Sequence, residues 1–178
     1  MPELPEAETI VRGLRSTIVG EQIDRADVPR PDILREPKRD FLPRVRGRTV
    51  TGVERRAKNV VLRLDEGRVI VVNLGMTGRL LPFAKPPRGS ARPRHPAVIF
   101  RLLSGGVLIF DDTRRFGSVE CLTDPQWMAR SNRLGPEPLE ESYTAHDLHS
   151  ALSASRSPVR SWLLDQRHIA GVGNIYAA

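Results

Sequence analysis

Between Thr49 and Leu122 the apolar residues fall into six strand-length runs: 49–53, 59–64, 69–74, 97–102, 107–110 and 117–122. Runs of this length, rich in valine, isoleucine and leucine and bounded by turn residues, read as β-strands. Two of the connections, Asp65-Glu66-Gly67 and Ser104-Gly105-Gly106, are far too short for a crossover helix, so the strands beside them are antiparallel neighbours. At 178 residues the chain can bury one good core, or one domain and part of a second.

Helical signals flank this block. Pro5 stands at a first helical position with Glu6 and Glu8 behind it, acidic groups facing the positive end of the helix dipole. Ile10, Val11, Leu14 and Ile18 continue the pattern, and Gly20 is a plausible stop. Residues 25–46 carry four prolines among charges and read as mostly loop. So do residues 82–96, with five prolines and Lys85, Arg88, Arg92 and Arg94: a mobile basic excursion, either near a polyanion or simply solvated. Asp124-Pro125 opens a short helix through Met128, and Leu134-Gly135-Pro136-Glu137-Pro138 reads as a linker between domains 1–131 and 132–178. Helices follow near His146–Ala154 and from Ser157-Pro158 to about Leu164; a third begins near Asn174 and stops at Ala178 without a cap, which points to an incomplete domain. The expected fold is α+β: an antiparallel β-sandwich flanked by helices, then a partial helical domain.

Net charge is +7, and it is uneven: residues 1–130 carry +8 and residues 131–178 carry −1. The first part therefore holds any electrostatic footprint for a polyanion. Only Lys38, Lys58 and Lys85 of the 28 basic residues are lysine, a bias that lowers the meaning of any single arginine. The single cysteine, Cys121, excludes a disulfide framework and a cysteine zinc cluster; its alternating run makes it a small buried hydrophobe. No signal peptide or membrane span is legible, and a soluble, cytoplasmic protein is expected.

The chain opens Met1-Pro2-Glu3-Leu4-Pro5-Glu6. Removal of the initiator methionine would expose the secondary amine of Pro2. With an α-amino pKa near 7.8, roughly a sixth of such groups are free base at pH 7, against about one in 2,500 for a lysine. A secondary amine attacking a sugar aldehyde carbon gives an iminium, an electron sink that favours elimination at the neighbouring carbon. Glu3 could move the protons. Taken alone, Pro2 serves equally well as the residue that starts a helix.

Three further segments accompany this opening: Arg55-Arg56-Ala57-Lys58; Leu74-Gly75-Met76-Thr77-Gly78 with Asp112-Thr113-Arg114-Arg115-Phe116-Gly117; and Ala170-Gly171-Val172-Gly173-Asn174-Ile175-Tyr176-Ala177. Individually each has a bland reading: Lys58 at a strand edge, Met76 and Phe116 in a core, Arg114 as a strand-end charge. The glycine turn before Asn174 would aim backbone amides at a phosphate. Met76, Arg114 and Phe116 follow strands that would carry them to one side of the sheet. An extruded nucleotide leaves a hole in the stack and an orphaned partner base, which apolar wedges and one donor could satisfy.

In order and spacing the four segments resemble the bifunctional formamidopyrimidine-DNA glycosylases, which excise oxidised purines. The resemblance implies Pro2 as nucleophile, Glu3 and Lys58 as catalytic partners, Met76, Arg114 and Phe116 as intercalating residues with Arg114 on the widowed cytosine, and Arg115, Arg160 and Asn174 as further DNA contacts. Asp165 and Gln166 would hold the turn. It also implies a helix–two-turn–helix second domain, damaged double-stranded DNA as partner, a monomer, and no cofactor within this chain, the family's zinc site falling beyond Ala178. Asn73 departs from the usual histidine, and Arg160 from a common lysine. Two rivals stand beside this: an endonuclease VIII type acting on oxidised pyrimidines, which usually carries glycine where this chain has Leu4, and a non-catalytic DNA-binding relic.

Overall fold

The computed structural model describes residues 2–178. Helix α1 (Leu4–Ile18) is followed by β1 (Ile23–Asp27), α2 (Lys38–Val45), β2 (Val50–Arg56), β3 (Asn59–Leu64), β4 (Arg68–Asn73), β5 (Arg79–Phe83), β6 (Pro96–Leu102), β7 (Val107–Asp111), β8 (Ser118–Thr123), α3 (Asp124–Ser131), α4 (Ala145–Ser153) and α5 (Val159–Leu164). The strands form two antiparallel four-stranded sheets, ordered β1-β6-β7-β5 and β2-β3-β4-β8. Their facing apolar residues enclose one core, and the α1 stripe Ala7, Val11, Leu14 and Ile18 closes it. The fold class is α+β, as expected from the strand-length runs, their short connections and the flanking helical signals.

Several local readings need correction. Residues 25–46 are not mostly loop: they hold the end of β1, a 3-10 turn at Pro31–Ile33 and α2, which contains Pro43. Proline disfavours a helix interior, but α2 buries Phe41 and Val45, and the Phe41 ring lies 6.3 Å from that of Phe100. Burial outweighs the local preference. Strand β5 went unrecognised because of Pro82, which pairs with Leu108 at the edge of its sheet, where a missing N–H is tolerated. The basic excursion is therefore 84–95.

The cap of α3 is Thr123, whose hydroxyl accepts from the Gln126 N–H, and the helix reaches Ser131. The helix expected at Asn174 is a single turn closed by Ala177 N–H on the Gly173 carbonyl, since four residues offer one such bond. Cys121 is buried in β8, and burial raises its thiol pKa to about 11. No helix is long and apolar enough to cross a membrane among the described residues.

Candidate active site and nucleic-acid interface

The start of the chain is tucked beneath its last described turn. Leu4 donates its N–H to the Gly171 carbonyl (3.1 Å). The Glu3 carboxylate is fully buried, and accepts from the backbone N–H groups of Ile175 (2.9 Å) and Tyr176 (3.4 Å). Glu6 accepts from the Glu3 N–H (2.9 Å) and from the Tyr176 hydroxyl (2.9 Å), and the first of these chiefly holds its pKa below the usual value. Half-buried Pro2 sits at the head of this arrangement.

Lys58 enters the same place from the turn between β2 and β3. A methyl group on Gly173 would overlap both the Lys58 Nζ and the Glu3 carboxyl carbon, so these groups crowd one point and a side chain there would have to displace them. Burial lowers the Lys58 pKa, and the charge of Glu3 opposes part of that shift. Gly171, with φ at +88°, lets the turn press on Leu4. The Gln166 side chain clamps the turn, its amide donating to the Val172 carbonyl (2.8 Å) and its carbonyl accepting from the Gly171 N–H (2.9 Å). Asp165 instead accepts from Arg167, first through its side chain, and its pKa is held well below the ordinary range. Arg160 and Asn174 are exposed on α5 and on the turn.

A second constellation occupies the loops after β4 and β7. Their backbones touch: a side chain at Gly75, whose φ is +58°, would collide with Phe116 and Gly117. Buried Asp112 stitches them, accepting from the Thr77 hydroxyl (2.5 Å), the Arg114 N–H (3.2 Å) and the Gly117 N–H (2.9 Å). On this base Met76 and Phe116 stand 37% and 57% exposed, outside the core, and the Arg114 guanidinium lies 4.5 Å over the Phe116 ring. Arg115 faces elsewhere, in an exposed ion pair with Asp32.

Asn73 joins the two places. Its carbonyl accepts from the Gly75 N–H (3.0 Å), and its amide donates to the Asn59 side chain (3.1 Å), whose own amide donates to the Arg56 carbonyl (3.2 Å). Beside Thr113, an open cleft of about 460 Å³ is lined by Arg79, Arg92, Arg94 and His95. Buried Asp111 anchors it, accepting from Arg79 (2.8 Å) and from the His95 N–H (2.7 Å).

Sequence reasoning missed Glu6, Asn59, Asp112, Glu137 and Tyr176. Each acts through a partner distant in the chain or through backbone groups, which no local pattern marks. No cluster of three metal-ligating side chains occurs among the described residues.

Two antiparallel sheets, with the chain start tucked under a helical second part, define a two-part α+β protein whose candidate reacting groups meet where the parts join. Residues 1–119 match the model of the formamidopyrimidine-DNA glycosylase N-terminal domain, and residues 134–178 that of the formamidopyrimidine-DNA glycosylase H2TH domain. The chain is 43% identical over 187 residues to the formamidopyrimidine-DNA glycosylase of a Ruegeria species, covering 99% of this chain and 65% of that protein. It is 43% identical over 181 residues to that of Xanthomonas oryzae pv. oryzae, covering 100% and 65%. Among solved structures, the Lactococcus lactis enzyme in complex with abasic-site DNA matches with a TM-score of 0.87 at 28% identity, covering 98% of this chain and 64% of that one. The same protein with DNA containing an oxidised pyrimidine matches at 0.88 and 28%, covering 99% and 65%. The chain belongs to the formamidopyrimidine-DNA glycosylase family, and it spans 65% of the length of these curated relatives.

Proposed function

We propose that this protein is a bifunctional DNA glycosylase and AP lyase of base-excision repair, acting on oxidised purines in double-stranded DNA. Freed of Met1, the Pro2 nitrogen attacks the sugar C1′ as the bond to the damaged base breaks, and the base leaves with a proton. The nitrogen loses its proton, the C1′–O4′ bond breaks with O4′ taking up a proton, and the opened sugar is left as an iminium at C1′. Loss of a C2′ proton then expels the 3′ phosphate by β-elimination, and loss of the C4′ proton expels the 5′ phosphate by δ-elimination. Glu3 carries protons between these steps, and Lys58 serves beside it. Met76 and Phe116 fill the emptied stack, Arg114 bonds the orphaned cytosine, and Arg115, Arg160 and Asn174 contact the backbone. On this reading a first domain of residues 1–131 supplies the chemistry and residues 132–178 a helix–two-turn–helix contact; the protein works as a cytoplasmic monomer, with no cofactor inside this chain.

The observation that carries the reading is the buried Glu3 carboxylate, next in the chain to Pro2, sharing one point with Lys58. An alternative, oxidised pyrimidines as substrate, is favoured by the Lactococcus lactis complex with such DNA; Leu4 favours purines. Borohydride trapping on an abasic duplex tests the chemistry. A covalent adduct on Pro2, lost when Met1 is retained, is expected. Efficient trapping with Met1 in place overturns the mechanism, and gel-shift retention without any adduct leaves only a DNA-binding protein.

A further inference from the structure

The segment Leu134-Gly135-Pro136-Glu137-Pro138 is strapped to the sheet, not free. Glu137 is 5% exposed, and its carboxylate accepts from Arg55 Nη1 (2.5 Å), Arg56 Nη1 (3.0 Å) and the Ala57 N–H (2.5 Å). Arg56 also donates to the carbonyls of Ser131, Leu134 and Gly135 at 2.9–3.1 Å. Buried Arg55 donates to Glu8 on α1 (3.0 Å) and to the Ala57 carbonyl (3.1 Å). A carboxylate so removed from water needs full pairing, and here it has two guanidinium groups and an amide.

The third of these partners gives the cluster a use beyond adhesion. Ala57 has φ at +54°, a left-handed conformation that a residue with a side chain keeps only when its surroundings impose it. Both of its polar groups are held by charged side chains, the N–H by Glu137 and the carbonyl by Arg55. Lys58 is the next residue. The direction of the backbone at Ala57 therefore decides where the Lys58 side chain enters the site.

We propose that Glu137 is a positioning residue: from the segment joining the two domains, it holds the Arg55–Ala57 turn in the left-handed form that places Lys58 beside Glu3. This rests on the reading of Glu3 and Lys58 as reacting groups. It makes the pair complete only when residues 134–138 are seated on the sheet. Glu3 is fixed in the same manner, by the amides of Ile175 and Tyr176. An ion pair serving adhesion alone would need no bond to the Ala57 amide.

The chain has three lysines, so side-chain-labelled lysine gives resolvable NMR signals for Lys38, Lys58 and Lys85. In folded Glu137→Gln, binding to an abasic duplex should persist while borohydride trapping slows by about tenfold or more, the order expected for a misplaced group. The Lys58 titration midpoint should move by about half a pH unit or more as its hydration and neighbouring charges change, with Lys38 and Lys85 unmoved. Glu140→Gln, exposed two residues beyond that segment, should alter neither reading. If Glu137→Gln does not fold, the paired variant Arg55→Met with Glu137→Met removes two facing charges together and receives the same measurements. A wild-type trapping rate or an unmoved Lys58 signal in a folded variant overturns the proposal. If the wild-type chain traps nothing, the glycosylase reading fails, and the Lys58 signal alone decides the role of Glu137.

Discussion

Where the two parts of the chain join, the side chains proposed to react are themselves withdrawn from water: Glu3 is fully buried and Lys58 half-buried. At the edge carrying Met76, Arg114 and Phe116 the order is inverted. There the buried group is Asp112, which holds backbone, while the apolar tips project into solvent. A proton-moving pair depends on its protonation states, which desolvation and close charges set. A wedge depends on shape, so it needs a rigid base and a free tip. One region tunes charge by burial; the other gains rigidity by burying what lies beneath it.

The largest expected effect falls on the joined region. Glu3→Gln removes the charge but keeps the side chain's size, so base excision should fall by about 10²–10⁴-fold, the range for a lost general acid–base group. DNA affinity should hold, and equal excision rates would break the contrast. At the wedge edge Arg114→Ala should act on recognition, weakening preference for the opposite base by about 1–3 kcal/mol. An unchanged opposite-base preference, measured across all four partners, would remove Arg114 from the reading role.

A smaller effect sharpens the electrostatic side. The folded-state pKa of Lys58 is lowered by burial, so between that value and its unfolded value the unfolded chain binds more protons, and stability rises with pH. Compared with Lys58→Gln, the wild type should gain stability as pH climbs from neutrality toward the ordinary lysine range, most of the gain appearing above the lowered pKa. Denaturant titrations at stepped pH check this; a difference that shrinks with rising pH would show that Lys58 is not desolvated. The smallest effect belongs to the cleft beside Thr113. Replacing Arg92 and Arg94 with alanine should reduce the salt slope of duplex binding by about 1–2 if both meet phosphate, with equal loss for every opposite base. An unchanged slope would make the excursion a solvated loop.

Strand-length apolar runs and turn length made the sheets legible, since runs this short joined by such short connections leave few alternatives to antiparallel neighbours. Phe41 and Val45 in α2 and the edge strand around Pro82 were not legible, because proline's local signal is overruled by burial and by edge position, which are properties of the assembled sheet. In the site, Pro2 and Glu3 offered a chemistry by residue type, and the order of the four motifs, with its family resemblance, drew in Lys58. Asp112 and Glu137 could not. An acid in a loop looks solvated until the amides that bind it are brought there from far along the chain.

The sequence by itself determined the antiparallel class and the amphipathic first helix, because these depend on run length, turn length and residue types within a few neighbouring positions; its motifs, through their family resemblance, only nominated Pro2, Glu3, Lys58, Met76, Arg114 and Phe116. Only the tertiary structure decided that Glu3 is buried under the Ile175 and Tyr176 amides, that Gly173 leaves room for Lys58, and that Glu137 holds the Ala57 turn. Burial and hydrogen-bond partners at separations of 80 and 172 residues are set by how the sheets and the second part close on one another. No local pattern encodes that closure.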